Sequence, residues 1–127
     1  MGRFEIVRVR RGFTFHLLAG NGAVIATSEC YVTEAACRKG VASVQKNAAC
    51  TRILDLCADD VPETAPNPKY ELYRDKAGAF RFRLKARNGE TVAVSKGYRT
   101  KQNCLTGIAS VQRNAPSAAV VCPDGTG

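Results

Sequence analysis

The sequence has no tryptophan, one histidine and one methionine, and aromatic residues fill only 7% of its 127 positions. Its core must therefore rest on Val, Ile, Leu and Ala around a few rings. Long apolar runs are missing too, since none approaches the roughly 18 residues needed to span a bilayer. The opening stretch, Met1-Gly2-Arg3-Phe4-Glu5, has no apolar segment of the kind that directs export. A cytoplasmic chain without membrane association is expected, and its six cysteines are expected to be reduced thiols. Carboxylates are scarce, at 11 against 19 Lys and Arg, and several fall in Asp59-Asp60-Val61-Pro62-Glu63. That segment reads as a linker, a poor scaffold for acid–base geometry. No glycine-rich loop follows a strand in phosphate-binding form. These absences argue against an enzyme, and no cofactor is expected.

What is present is ordinary for a globular chain, with 45% apolar and 24% charged residues, enough for one domain or two very small ones fused. The net charge of +8 is uneven: residues 1–68 carry eight Lys/Arg against seven Asp/Glu, residues 69–127 eleven against four. A basic second half is a feature to be explained.

The chain also repeats itself. Val41-Ala42-Ser43-Val44-Gln45-Lys46-Asn47-Ala48 recurs as Ile108-Ala109-Ser110-Val111-Gln112-Arg113-Asn114-Ala115, six of eight positions identical at an offset of 67. The same offset relates Asn21-Gly22 to Asn88-Gly89, Tyr31 to Tyr98, Cys37 to Cys104 and Gly40 to Gly107. With a one-residue gap, Phe4-Glu5-Ile6 matches Tyr70-Glu71-Leu72. Each copy reads β-β-β-α-β. Strand one runs from Phe4 to Arg10 and from Tyr70 to Arg74. Strand two alternates, with Phe13, Phe15, Leu17 and Ala19 on one side, as are Phe80, Phe82, Leu84 and Ala86. Asn21-Gly22 and Asn88-Gly89 suit the positive-φ pair of a tight hairpin, leading into strands Ala23–Ser28 and Glu90–Ser95.

Thr33 and Thr100 are N-cap candidates for a helix. Its apolar stripe falls at positions 37, 40, 41, 44 and 48, and again at 104, 107, 108, 111 and 115. Gly40 and Gly107 lie on that stripe, where a missing side chain allows close approach to the sheet. Asn47 and Asn114 suit a left-handed C-terminal cap, with Pro116 barring continuation. Last strands follow at Ile53–Cys57 and Ala119–Cys122. A unit of about 55 residues is marginal alone, so a closed, pseudo-twofold pair sharing one core is expected. The expected organisation is a single domain over 1–127: repeat one 2–57, a proline-rich linker 58–68 with Pro62, Pro66 and Pro68, repeat two 69–122 and a tail 123–127.

Phe80-Arg81-Phe82-Arg83-Leu84-Lys85-Ala86-Arg87-Asn88-Gly89, then Gly97-Tyr98 and Ser110-Val111-Gln112-Arg113-Asn114-Ala115-Pro116, resemble the strand-turn-helix signature of the YegP-like proteins. The resemblance spans nearly the whole chain. It implies an α+β fold in which tandem units form one antiparallel sheet, both helices on one face, with C-terminal strands exchanged between repeats. Single-copy members of the family reach the same arrangement as homodimers, so a monomer built as a pseudo-dimer is implied here. The family has no established activity and lends no functional residue. Copy one departs from it at Arg10-Arg11-Gly12, at Cys30 in place of Gly97, and at Ala49-Cys50 in place of Pro116-Ser117.

Three groups of residues carry candidate chemistry. Alternation leaves Arg81, Arg83, Lys85 and Arg87 on one open face of copy two, a row suited to nucleic acid or another polyanion, with Tyr73 placed to stack a base. The plainer reading is a solvated face, partly neutralised by Glu71 and Asp75. The equivalent face of copy one carries Val7, Val9, Thr14, His16 and Leu18, a partly apolar surface suited to a protein partner or self-association. Scattered exposed apolar residues are the ordinary alternative. Cys37, Cys104, Cys57 and Cys122 read as small core residues. Cys30 and Cys50 have no counterpart in copy two and are candidate reactive thiols, but their spacings are not those of a zinc site. His16 is read as an outward strand residue, and no metal site is expected. The partner is unknown on sequence alone: protein or self-association ranks ahead of nucleic acid.

Overall fold

The structure is a computed structural model that describes residues 2–57 and 66–121. Most of the expected linker (58–65), Cys122 and the tail 123–127 lie outside the described residues. The first half contains β1 (Arg3–Val9), β2 (Gly12–Leu18), β3 (Val24–Thr27), α1 (Glu34–Asn47) and β4 (Ile53–Asp55). The second contains β5 (Lys69–Arg74), β6 (Phe80–Lys85), β7 (Thr91–Val94), α2 (Lys101–Asn114), a 3₁₀ turn at Ala115–Ser117 and β8 (Ala119–Val121). The fold is mixed α+β, with a single eight-stranded sheet in the order β4-β5-β6-β7-β3-β2-β1-β8.

Within each half, hairpins make the three long strands antiparallel, with Ile6 opposite Phe15 and Leu72 opposite Phe82. The sheet as a whole is not antiparallel, which corrects the expectation. β8 runs parallel to β1 and β4 runs parallel to β5. No hairpin joins either pair, so no tight turn forces their strands into opposition. The two halves meet through β3 and β7, where the pairing is one residue pair, Thr27 opposite Val94.

The hairpin turns also differ from expectation. Ala19 N donates to Ala23 O and Gly22 N to Ala19 O, each at 2.9 Å, which closes a three-residue loop. In the two Asn-Gly loops Gly22 and Gly89 take a positive φ, 87° in both; the asparagines do not. This is the longer hairpin in which a turn is followed by one left-handed glycine. Asn21 and Asn88 serve through their side chains instead, each Oδ1 accepting from the N–H two residues on, at 3.0 Å.

Thr33 and Thr100 cap the helices as expected, their hydroxyls accepting from Ala36 N at 3.1 Å and Asn103 N at 3.0 Å. Asn47 and Asn114 are not left-handed caps. Both belong to the helices, which continue right-handed into Ala48 and Ala115. Their side-chain Nδ2 groups donate to Ser43 O and Ser110 O at 2.8 Å, so each finds its partner inside the helix.

The apolar stripes of both helices join one core. Cys37, Val41 and Val44 of α1, and Cys104, Ile108 and Val111 of α2, share it with Phe4, Phe15, Leu17, Tyr70, Phe82 and Leu84. Both helices therefore cover the same sheet face, and the other face is free of them. Matching aromatic ladders run beneath. Phe15 meets Phe4 edge-on at 5.8 Å and stacks on Tyr31 at 6.3 Å; Phe82 meets Tyr70 edge-on at 6.0 Å and stacks on Tyr98 at 6.4 Å. Polar ties cross between halves. Gln45 donates to Ala118 O at 3.1 Å, Gln112 to Cys50 O at 2.9 Å, and the buried Tyr70 hydroxyl to Ala48 O at 2.7 Å. Lys101 of α2 pairs with Asp55 of β4 at 2.8 Å. Among the described residues, no helix is long and apolar enough to cross a membrane.

Gly107 is where the helix comes down on the aromatic ladder. A Cβ there would meet the Tyr98 hydroxyl at 2.5 Å and Tyr98 Cζ at 2.9 Å, with Phe82 Cε2 at 3.1 Å. Helix propensity alone favours Gly107→Ala by about 1 kcal/mol, whereas overpacking costs about 1–3 kcal/mol. The ring is stacked and has little room to yield, so overpacking prevails and the variant unfolds at lower urea than wild type. A gain in stability would show that the approach is not tight.

Candidate functional site

Both arginines on the open face of the second half are already ion-paired. Arg81 Nε lies 2.8 Å from Asp75 Oδ2, and Arg83 Nε lies 2.6 Å from Glu71 Oε1. Lys69 Nζ is a second cation beside Glu71, at 3.7 Å. Cross-strand register explains the second pair, since Glu71 lies opposite Arg83 in the β5–β6 ladder. Asp75 sits in the hairpin turn, its other oxygen accepting from Ala77 N and Ala79 N at 2.9 Å each. The Ala79 N–H above all, with Arg81 and the Ala77 N–H, holds its carboxyl below the usual range against the opposing effect of burial. Tyr73 is not a free stacking platform, because the Arg83 guanidinium lies 4.5 Å from its ring centroid. Lys85 is half-buried at the end of β6. Arg87 lies beyond β6, in the turn, and lines a cleft beside α1. The expected row of four therefore reduces to a strand triplet, because alternation ends where the turn begins.

In the first half the expected apolar face holds in part. Val9 is 37% exposed, while Val7, Thr14 and His16 are half-buried. Leu18 is only 7% exposed and is not available as a contact, which corrects its assignment. It still lies opposite Arg3, on the outward side of the β1–β2 ladder, and the shift in register beside it falls on β3, where Ile25 is the unpaired residue. One residue the sequence did not mark out joins this face. Val121 of β8 pairs beside Glu5, which shares the outward side with Val7, and is 38% exposed. Only the β1–β8 pairing reveals it. The His16 Nδ1 atom is buried and has no hydrogen-bond partner among the described residues.

The cysteines are placed largely as expected. Cys37 and Cys104 are buried in the core, Cys50 and Cys57 are half-buried against it, and Cys30 is exposed. Cys57 lies two residues past β4 rather than within it, since the ladder ends at Asp55. The five described cysteines are free thiols. Burial pushes the Cys104 thiol up to about 11, with neighbouring Cys57 and Asp55 adding to the effect. Burial also raises Cys50, despite the opposing N–H and charge of Arg52. A raised thiol is a poor nucleophile at neutral pH. Among the described residues, no three His, Cys, Asp or Glu side chains gather as metal ligands would.

Two clefts lie where a helix of one half faces the hairpin turn of the other. One, of about 350 Å³, is bordered by Asn21, Val24, Lys96, Tyr98, Thr106 and Ser110. The other, of about 310 Å³, is bordered by Lys39, Ser43, Lys46, Asn47, Arg87 and Asn88. Lys39, Ser43 and Lys46 share one side of α1 at i, i+4, i+7 spacing, a pattern visible in the sequence. That it faces Arg87 is not.

The family model for a domain of unknown function, DUF1508, matches residues 10–55 and 75–121. The chain belongs to this family. Relatives among the DUF1508 proteins include a UPF0339 protein of Bordetella pertussis, 40% identical over 92% of this chain and 91% of its own length. Another, from Treponema denticola, is 60% identical over 53 residues, which are 42% of this chain but 91% of that protein. In solution, the protein of unknown function yegP from E. coli has the same fold, with a TM-score of 0.73 and 35% identity over 94% of this chain and 90% of that one. The YegP resemblance read from the sequence is thus established, and it brings no recorded activity.

Glu71 gives the face a pH dependence. Burial raises its carboxyl, but the Arg83 hydrogen bond and the charges of Arg83, Lys85 and Lys69 outweigh that and leave it below the usual range. A depressed folded-state pKa stabilises above the unfolded value near 4, and the contribution disappears as pH falls through the folded value. Glu71→Gln should therefore cost about 1–3 kcal/mol at pH 7, with the difference shrinking in urea melts below about pH 4. A pH-independent difference would remove the ion pairs from the account.

Proposed function

We propose that this protein is a non-catalytic binding module, a duplicated unit whose outer strands are exchanged so that one sheet face stays open for a protein partner or a second copy. The pairing of β4 with β5 and of β8 with β1 supports the exchange, as does the Treponema denticola relative matched almost end to end by less than half of this chain. The observation that carries the binding reading is the contrast across the helix-free face. Arg81 and Arg83 are ion-paired at 2.8 and 2.6 Å, whereas in the first half one pair, Arg3–Glu5 at 2.9 Å, shares the face with Val9 and Val121, 37% and 38% exposed, and with half-buried Val7. Paired charges form a self-sufficient, hydrated surface, and exposed apolar side chains gain by being covered. The contact patch is centred on Val7, Val9, Thr14 and Val121, with His16 at its margin.

Nucleic-acid binding through the basic strand is the weaker reading, because Arg81 and Arg83 are already engaged by Asp75 and Glu71, and the Tyr73 ring by Arg83. Thiol chemistry at Cys50 is weaker still, since burial favours the protonated thiol.

The test compares wild type with Val9→Lys, an exposed position where the charge does not disturb the core. Wild type is expected to sediment faster as concentration rises, or to retain a defined protein from host extract. Val9→Lys should lose that association at unchanged melting temperature. Identical sedimentation and identical captured proteins for both chains would contradict the assignment of this face.

A further inference from the structure

The two clefts occupy matching places in the two halves but differ in charge. At the 67-residue offset, Lys39 corresponds to Thr106 and Arg87 to Gly20, so the first cleft lacks these two cations. It keeps Lys96, whose ammonium lies 5.7 Å from the Tyr98 ring centroid. The second cleft gathers Lys39 and Lys46 from α1 with Arg87 from the β6–β7 turn, and no carboxylate lines it. Among the described residues, none of these three cations takes part in an ion pair. Like charges directed into one concavity repel each other unless an anion joins them.

Neutral donors complete the ring. Ser43 Oγ accepts from Asn47 Nδ2 at 3.3 Å, which leaves the hydroxyl hydrogen to donate elsewhere. Asn88 accepts through Oδ1 from Glu90 N at 3.0 Å, leaving its amide hydrogens free to point outward. The carbonyl end of α1 is close by, so the helix dipole does not assist an anion here and the side-chain cations must hold it. A volume of about 310 Å³ is at the small end of ligand sites.

We propose that this cleft binds a small phosphorylated molecule, with Arg87 gripping the phosphate through its planar fork and Lys39 and Lys46 supplying point charges. A nucleic-acid strand fits less well. The cations of the β6 strand, Arg81 and Arg83, point to the opposite sheet face and are ion-paired, so they do not extend the cleft's charge. The site is separate from the apolar face described above and does not depend on it.

The experiment is an NMR titration of the full chain with inorganic pyrophosphate at low salt, with a single-stranded oligonucleotide as a second arm. Saturable shifts are expected at Lys39, Lys46, Arg87 and Asn88. Arg87→Gln should weaken binding about tenfold, and Lys39→Gln should do likewise, both with wild-type melting curves. Thr106→Ala in the matching cleft should leave binding unchanged. Non-saturating shifts spread over all surface cations, or an Arg87→Gln variant that binds as wild type, would overturn the proposal. So would an oligonucleotide that shifts the same residues at lower concentration than pyrophosphate.

Discussion

The centre of the sheet is its weakest place, and the rest of the architecture compensates for that. β3 and β7 meet through a single residue pair, Thr27 with Val94, which is too little to hold two halves together. Cohesion comes instead from the layer above and from the edges. α1 packs on β7 as well as on β2, and α2 packs on β3 as well as on β6, so each helix straddles the seam. Side chains such as Val41 and Ile108 are buried there, and each contributes about 1.5–3 kcal/mol when fully removed from water. At the far edges, β4 and β8 pair with the first strand of the opposite half. Gln45, Gln112, Tyr70 and Lys101 then secure the connections with hydrogen bonds and an ion pair across the halves.

This constraint explains what the two halves have in common. Phe15 and Phe82, Tyr31 and Tyr98, and Gly40 and Gly107 form matched close contacts under the helices. Positions away from that layer were free to differ. The outward face carries two arginine ion pairs in one half and a single Arg3–Glu5 pair among exposed valines in the other, and the two helix–turn clefts differ in their cations. The hairpin geometry made part of that divergence available. Since the first loop residue does not need a positive φ, Gly20 in one half can stand where Arg87 does in the other.

Much of the fold was legible in the sequence because its signals are local. Period-two alternation places Phe15, Leu17, Phe82 and Leu84 in the core, and both threonine caps form as their position suggests. Cross-strand neutralisation of Arg81 and Arg83 by Asp75 and Glu71 was also legible, once alternation assigned one face to all four. The failures are equally physical. Asn47 and Asn114 suited a left-handed cap by residue type, yet a carbonyl one turn back offered their side chains a better partner. The parallel edges depend on contacts between distant segments, which no local pattern encodes. Arg87 went astray because alternation was extended past the strand end, and Leu18 because a residue on the outward side can still be covered by its neighbours. Lys39, Lys46 and Arg87 come from separate segments, so only the folded chain brings them to one cleft.

Mutual dependence of the halves is the central claim, and dividing the chain tests it most directly. Residues 1–57 and residues 66–127, produced separately, should each be unfolded or self-associated in sedimentation and circular dichroism. Mixed, they should form a one-to-one complex with the secondary structure of the intact chain. A first half that remains a folded monomer, with the melting temperature of the whole protein, would contradict the account.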